Sequence, residues 1–110
     1  EQLHFPTGGT TLPKGDLPSL DRISALLSEF PQVTARIEGY TDNSGPDQVN
    51  LELSSARAEA VRNALIERGV APERLSARGF GEERPIGDNG TVPGRRKNRR
   101  VEVHLIEPAS

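Results

Sequence analysis

Two side chains of opposite charge stand out in residues 38–62, because together they could hold a ligand that carries both charges. Asp42 lies in a turn rich in Gly, Asp, Asn and Pro that follows a predicted strand, and Arg57 lies on a long predicted helix among small apolar residues. If the turn folds back over the helix, the carboxylate and the guanidinium face each other across a small cleft. Charge-assisted hydrogen bonds are among the strongest polar contacts in proteins. The pair would therefore suit a zwitterion that bears an ammonium and a carboxylate.

Each of these residues also has a purely structural interpretation. Asp42 could cap its own turn by accepting backbone N–H hydrogen bonds. Arg57 borders an apolar stripe, so its charge needs a partner, which could be an internal Asp or Glu. Arg99 falls on the same predicted strand face as Val101, toward the helices, whereas Arg100 points to the opposite face. Arg99 could therefore join the pocket of Arg57, or it could form a salt bridge that pins the preceding loop.

The composition favours one small domain and argues against several classes of function. The chain has 110 residues, of which 33% are hydrophobic, and a net charge of −2, which suits a single modest core. No apolar run approaches the ~20 residues of a membrane span. The basic segment 95–100 contains no aromatic residue, so nucleic-acid binding is not favoured. With no cysteine and only two histidines, neither a disulfide framework nor a His/Cys metal site is expected.

The residues that commonly perform catalysis do not form a recognisable arrangement. Ser54, Ser55, His4 and His104 do not suggest a nucleophile–base pair. The GFGE segment at 79–82 lacks the complete glycine pattern of a phosphate-binding loop. The sequence therefore predicts a binding module that is not an enzyme and needs no cofactor.

Four segments are predicted to be strands and two to be helices. Polar and apolar residues alternate in 32–39, 74–79 and 99–106, and a further strand is suggested near Leu3 and Phe5. The first helix follows the spacing of Leu20, Ile23, Leu27 and Phe30 until Pro31 ends it. The second carries an apolar stripe of Val49, Leu53, Ala56, Ala60, Val61, Ala64 and Leu65, and Gly69 is its expected C-terminal cap.

The order β-α-β-α-β-β predicts a two-layer α/β (α+β) sandwich. Its two main helices would pack on one face of a mixed four-stranded sheet, and strands joined through a helix would be parallel. Residues 80–98 are rich in Gly and Pro and are predicted to be one long loop, which serves binding or is disordered. The whole chain, 1–110, is predicted to be a single domain.

Several long motifs resemble one known family. Residues 50–65, NLELSSARAEAVRNAL, match the signature N-x-x-L-S-x-x-R-A-x-x-V-x-x-x-L, and EGYTDNSG resembles the turn G-H-T-D-x-x-G with Tyr40 in place of His. Downstream, GVAPERLSARGFGEERPIGDN, T-x-x-G-R and NRRVEV continue the resemblance. On these motifs the chain resembles the OmpA-like, peptidoglycan-associating domain of outer-membrane proteins, Pal lipoproteins and MotB-type stator proteins. The resemblance covers roughly residues 32–105, and residues 1–15 match more loosely.

The resemblance implies a function and a set of ligand residues. It implies non-covalent binding of Gram-negative peptidoglycan through the meso-diaminopimelate of the stem peptide, which would tether a larger envelope protein to the cell wall. By position, Asp42 would hold the ammonium, Arg57 the carboxylate, and Arg99 would contact the ligand or brace the pocket. Further contributions through hydroxyl, amide or backbone groups are expected from Thr41, Asn43 and Asn50.

The same resemblance implies a place in the cell and a set of partners. The chain would be a periplasmic domain of a Gram-negative envelope protein anchored in the outer or inner membrane. It begins without Met and reads as part of something longer, so any membrane attachment would come from other parts of the parent chain. A homodimer is possible. The alternative is a protein–protein interaction module of an envelope complex, in which Asp42 and Arg57 form an internal pair and the 80–98 loop contacts a partner.

Overall fold

The computed structural model describes residues 2–5 and 9–108, which contain four strands and three α-helices. In chain order the elements are β1 (Gln2–His4), α1 (Leu17–Glu29), β2 (Thr34–Gly39), α2 (Asp47–Glu67), β3 (Leu75–Gly79), α3 (Val92–Asn98) and β4 (Arg100–Ile106). Short 3₁₀ turns precede α1 and β3, at Lys14–Asp16 and Pro72–Arg74. None of the described helices has the length and apolar character that crossing a membrane requires.

The strands form one mixed sheet in the order β1-β4-β2-β3. β2 and β3, which are joined through α2, pair in parallel, whereas β4 is antiparallel to both β1 and β2. Leu3 and Ile37 both face β4, opposite Val101 and Val103 respectively. The predicted mixed four-stranded sheet is therefore confirmed, and it includes the first strand.

One face of the sheet is covered by α1 and α2, as the strand alternation predicts. Buried side chains from both layers form one continuous core. The helices contribute Leu20, Ile23 and Leu27 from α1 and Ala58, Val61 and Leu65 from α2, and the sheet contributes Leu3, Ala35, Ile37, Leu75, Val101 and Val103. α2 ends where the sequence predicts: Arg68 is its C-cap, and Gly69 follows with a φ of 94° and donates its N–H to Ile66 O at 2.9 Å.

The buried face of α2 differs from the predicted stripe. The structure buries Asn50, Ser54, Arg57, Ala58, Val61 and Leu65, whereas Val49 is 53% exposed. The reason is a close approach of the helix to the sheet. A Cβ on Gly39 would collide with the Ser54 carbonyl, and a Cβ on Gly79 would collide with the Ser55 amide. Where the helix and strand backbones are in contact there is no room for large apolar side chains. The face that the N-terminal half of α2 turns toward the sheet therefore carries the polar residues Asn50, Ser54 and Arg57.

The predicted loop 80–98 contains a third helix, which is a correction to the two-helix order. α3 begins after Thr91, whose hydroxyl accepts a hydrogen bond from Gly94 N at 3.0 Å, and Pro93 lies in its first turn. Asn98 at its end is buried and fastens the preceding loop, since its Oδ1 accepts from Ile86 N and Gly87 N, both at 2.8 Å. The Gly and Pro residues of this segment are typical of a loop, so the sequence pattern did not predict this short capped helix. The structure therefore adds α3 to the predicted sandwich.

Candidate ligand-binding cleft

A cleft of about 170 Å³ lies between the turn after β2 and the N-terminal half of α2. It forms where β2 ends, so the turn residues come to lie over the polar part of the helix. The segment between α3 and β4 closes it with one arginine. Its lining residues are Thr41, Asp42, Ser44, Val49, Asn50, Leu53, Arg57 and Arg99.

Asp42 is 5% exposed, and each of its two carboxylate oxygens accepts a hydrogen bond. Oδ1 accepts a hydrogen bond from Ser44 N at 2.9 Å, and Oδ2 accepts one from Arg99 Nη1 at 2.9 Å. Burial raises the pKa of Asp42, but the hydrogen bonds from Ser44 and Arg99 outweigh burial and hold this pKa below its ordinary value. The carboxylate is therefore ionised at neutral pH. It caps its own turn and is also one wall of the cleft.

Arg57 is fully buried, and its described hydrogen bonds go to backbone carbonyls. Nε donates to Gly9 O at 2.8 Å and Nη1 donates to Tyr40 O at 3.3 Å, and the guanidinium lies 5.4 Å from the centre of the Phe5 ring. Burial, and secondarily the nearby Arg99 charge, lower the pKa of Arg57 to about 10, while Asp42 acts in the opposite direction. Arg57 therefore remains a cation at neutral pH and is rigidly placed.

Arg99 joins this pocket, as the strand alternation predicts. Besides its 2.9 Å ion pair with Asp42, its Nε donates to Phe5 O at 3.3 Å. Arg100 lies on the opposite sheet face, where its guanidinium sits 3.9 Å from the centre of the Tyr40 ring. The ion pair of Asp42 is thus with Arg99. One carboxylate and two guanidiniums in the cleft leave one excess positive charge.

Of the three residues predicted to make further contributions, Thr41 and Asn50 line the cleft and Asn43 does not. Thr41 is 3% exposed, and its hydroxyl has no hydrogen-bond partner within the described residues although it lies at the cleft. Asn50 is buried in the cleft wall, and its Nδ2 donates to Gly45 O at 3.3 Å. Asn43 is exposed and does not line the cleft. The structure therefore brings together five of the six predicted residues and leaves Asn43 outside.

Tyr40, the departure from the family's His, does not enter the cleft with its side chain. Its hydroxyl donates to Glu38 Oε1 at 3.0 Å, and its ring stacks on Phe80 at 5.4 Å between centroids. Only its backbone carbonyl faces the cleft, where it accepts from Arg57. The Tyr40 side chain therefore packs on the sheet face away from the two long helices, where it is buried, and it does not alter the cleft lining around Asp42 and Arg57.

The sequence model of the OmpA family matches residues 4–99. The chain belongs to the OmpA family. It is 45% identical over 101 residues to outer membrane protein Omp38 of Acinetobacter baumannii, and the aligned region makes up 91% of this chain and 28% of Omp38. It is 40% identical over 99 residues to the peptidoglycan-binding protein ArfA of Mycobacterium tuberculosis, and the aligned region makes up 90% of this chain and 30% of ArfA. The chain thus spans less than a third of either relative.

Solved structures share the whole fold of this OmpA-family domain. The peptidoglycan-associated lipoprotein from Burkholderia pseudomallei superposes with a TM-score of 0.92 at 28% identity, over 96% of this chain and 89% of that chain. The C-terminal domain of Helicobacter pylori MotB gives a TM-score of 0.86 at 28% identity, over 99% and 86% of the two chains. Both likenesses extend beyond the motifs to the complete α+β architecture.

Three cleft residues of this OmpA-family domain escaped the sequence prediction: Ser44, Val49 and Leu53. Ser44 acts through its backbone amide, which any residue carries, and the signal was the Asp-x-Ser spacing typical of a side-chain-capped turn. Val49 and Leu53 were assigned to the core stripe. They line the cleft instead, because the close helix–sheet contact turns the other face of α2 inward.

Proposed function

We propose that this domain binds peptidoglycan non-covalently, through the free end of diaminopimelate in the stem peptide, and so tethers an envelope protein to the cell wall. The observation that carries the proposal is the cleft in which Asp42, Arg57 and Arg99 converge beside the Thr41 hydroxyl. Two relatives bear names that refer to peptidoglycan, ArfA and the lipoprotein from Burkholderia pseudomallei. The parent protein would act in the periplasm.

The charges of the cleft match the two ends of an amino-acid head group. The excess positive charge of Arg57 and Arg99 would attract the carboxylate, and Asp42 would accept the ammonium. A carboxylate has about four acceptor positions, of which the described contacts of Asp42 use two. The ligand ammonium can therefore bind without displacing Arg99. Binding of this kind requires no bond making or breaking, so we assign no catalysis to the site.

The expected affinity of one cleft is modest. Charge-assisted hydrogen bonds contribute about 1.5–3 kcal/mol each, and ordering the ligand offsets part of that gain. Lysine in the stem would keep the ammonium but lack the carboxylate, which would leave two cations facing an empty position. We therefore expect selectivity for diaminopimelate over lysine.

Isothermal titration with meso-diaminopimelate and with lysine tests the proposal. Wild type should bind the first and not the second, and Asp42→Ala and Arg57→Ala should each abolish binding and pull-down by sacculi. Asp21→Ala is a matched control, because Asp21 forms an ion pair with Arg68 away from the cleft. Arg74→Ala controls for Arg57, since Arg74 also donates to backbone carbonyls.

Because Arg57 is fully buried, its alanine variant could unfold, so Arg57→Lys provides a second variant. Lysine keeps the charge and loses the forked geometry, so affinity should fall while cooperative unfolding persists. Normal binding by Asp42→Ala or by Arg57→Lys would contradict the assigned role of that residue.

The alternative interaction module finds one point of support in the structure, the internal ion pair of Asp42. Its partner is Arg99 instead of the expected Arg57. Nuclear magnetic resonance distinguishes the two functions. Shifts confined to residues 41–57 and 99 on addition of diaminopimelate support the wall ligand, and an unchanged spectrum supports the module.

A further inference from the structure

A compact charged cluster lies on the sheet face that α1 and α2 leave uncovered. Glu38 on β2 and Glu102 on β4 are direct cross-strand partners, and His104 is two residues further along β4. Like charges placed directly opposite each other on a sheet are destabilising. Two carboxylates at this position therefore need positive charge or protons between them.

The histidine points one nitrogen at both carboxylates. His104 Nε2 lies 3.1 Å from Glu38 Oε1 and 3.0 Å from Glu102 Oε1. A ring nitrogen carries at most one proton, and a good hydrogen bond is close to linear. His104 Nε2 can therefore form a well-aligned hydrogen bond with only one of the two carboxylates at a time. Among the described residues these three ligand atoms all lie within 4.8 Å of one another. Three possible ligand atoms thus lie close together, and one of them, Glu38 Oε1, also accepts a hydrogen bond from the Tyr40 hydroxyl at 3.0 Å.

We infer that Glu38, Glu102 and His104 form a binding site for a divalent transition-metal cation of the Zn²⁺ type. Zn²⁺ binds imidazole nitrogen and carboxylate oxygen at about 2.0–2.2 Å, which places tetrahedral ligand atoms roughly 3.3 Å apart. The two measured separations, 3.0 and 3.1 Å, are close to that spacing. Three protein ligands leave the fourth position to water or to a donor from another molecule.

The surrounding residues hold both carboxylates in the required orientation. Arg36 Nε binds Glu38 Oε2 at 3.0 Å, and Arg100 Nε binds Glu102 Oε2 at 2.7 Å, so each inner oxygen is directed toward His104. Partners of this kind orient metal ligands. The guanidiniums also offset the charge of the carboxylates. The choice of ion follows from the ligand atoms: Ca²⁺ and Mg²⁺ take sets made of oxygen alone, whereas an imidazole nitrogen with two carboxylate oxygens suits Zn²⁺.

The site has a buried base and an open side. The side chain of Glu38 is 8% exposed, whereas that of His104 is 40% exposed, so an ion can enter past the imidazole. The cluster lies on the other sheet face from the cleft, and none of its three residues lines the cleft.

Titration of the 110-residue chain with Zn²⁺ alone, followed by calorimetry and by competition with a coloured chelator, tests the site. Wild type should bind one Zn²⁺ per chain. His104→Ala and Glu102→Gln should each weaken binding by about 100-fold or more, because loss of a ligand costs at least as much as loss of an orienting partner. His4→Ala is the matched control, since His4 is the other histidine of the chain and lies on the exposed edge strand β1. It should bind as wild type does.

Two results would overturn the site: no saturable one-to-one binding by wild type, or equal weakening by His4→Ala and His104→Ala. His104→Gln, which keeps a hydrogen-bonding side chain, replaces the alanine variant if that one loses its cooperative unfolding. Diaminopimelate binding should be unchanged in every variant of the triad. A failure of the metal site can thus be told apart from a failure of the wall-binding proposal.

Discussion

At the scale of single residues, the cleft is defined by a carboxylate that serves three purposes. Asp42 caps the turn through Ser44, anchors Arg99, and keeps acceptor capacity toward the cleft. The functional and structural interpretations of this residue are therefore compatible. The ion pair with Arg99 holds both charges at fixed positions in the cleft lining.

Because the pKa of Asp42 is lowered in the folded state, the free energy of unfolding should decrease at acidic pH. Because the pKa is lower in the folded state, the contribution of Asp42 is fully present above its ordinary value of 3.8 and is lost as the pH falls through the folded-state value. Urea unfolding between about pH 6 and pH 2 should show wild type losing its advantage over Asp42→Asn toward the acid end. Asp21→Asn, which breaks an exposed pair, should follow wild type throughout. A constant difference between wild type and Asp42→Asn would contradict the role of the ion pair.

The Thr41 hydroxyl separates stability from binding. It is buried without a hydrogen-bond partner in the described residues, so replacing it with the isosteric Val should leave the free energy of unfolding unchanged or slightly higher. If the hydroxyl contacts the ligand, Thr41→Val should weaken diaminopimelate binding by about 0.5–1.5 kcal/mol. Urea unfolding and calorimetry on the same samples measure both quantities. Weaker folding with unchanged binding would show that the hydroxyl is structural.

At the scale of elements, the cleft depends on how closely α2 approaches the sheet. Gly39 and Gly79 end the parallel pair β2 and β3, and both lie against the backbone of α2 near Ser54. Ser54 extends this contact, since its Oγ accepts a hydrogen bond from Gly81 N at 2.8 Å. The helix that carries Arg57 is thus held against the strand end that leads to Asp42.

Gly79→Ala should therefore destabilise the domain. The added methyl group would meet the backbone amide of Ser55, which cannot move aside as a side-chain end could. Overpacking of this kind costs about 1–3 kcal/mol. Gly15→Ala is the control, because a Cβ there meets nothing within 4 Å, and it should be neutral or stabilising. Equal stability of the two variants in urea unfolding would show that α2 can shift away from the sheet.

The short helix α3 positions Arg99 through Asn98. Removing the Asn98 side chain leaves the amides of Ile86 and Gly87 without their acceptor, so Asn98→Ala should cost about 1–3 kcal/mol of stability. It should also weaken diaminopimelate binding, because Arg99 follows directly. Asn63→Ala, at an exposed position of α2, should change neither quantity. Unfolding and calorimetric titration would contradict this role if Asn98→Ala kept full affinity.

At the scale of the whole molecule, the cleft and the charged sheet face are on different sides of one small fold. If the domain attaches to the wall as we propose, a cleft of modest affinity would need many copies on a polymeric ligand. Joining two binding modules can raise overall affinity by about 10²–10⁴ without any new contact.

A tandem fusion of two copies through a flexible linker tests this expectation. Its retention on sacculi should rise by about 10²-fold or more, while its affinity for free diaminopimelate per cleft should stay that of the single domain. A tandem in which the second copy carries Asp42→Ala is the control and should behave as one domain. Equal retention of the two fusions would contradict attachment by repeated weak contacts.

The sequence alone determined the strands and the two long helices, and it predicted most of the residues that line the cleft. Period-two alternation and three-to-four spacing follow from local backbone geometry, so they can be read without knowing the partners of an element. The prediction that Arg99 and Arg100 face opposite sides held for the same reason.

Only the tertiary structure decided which groups meet. The inner face of α2 is polar because the backbones of Gly39 and Gly79 approach it, and α3 was hidden among glycines and prolines that normally indicate a loop. Asp42 pairs with Arg99, and His104 meets Glu38 and Glu102, through strand pairing between distant parts of the chain. Spacing along a sequence carries no record of such contacts, since register and close approach are set by packing of the complete fold.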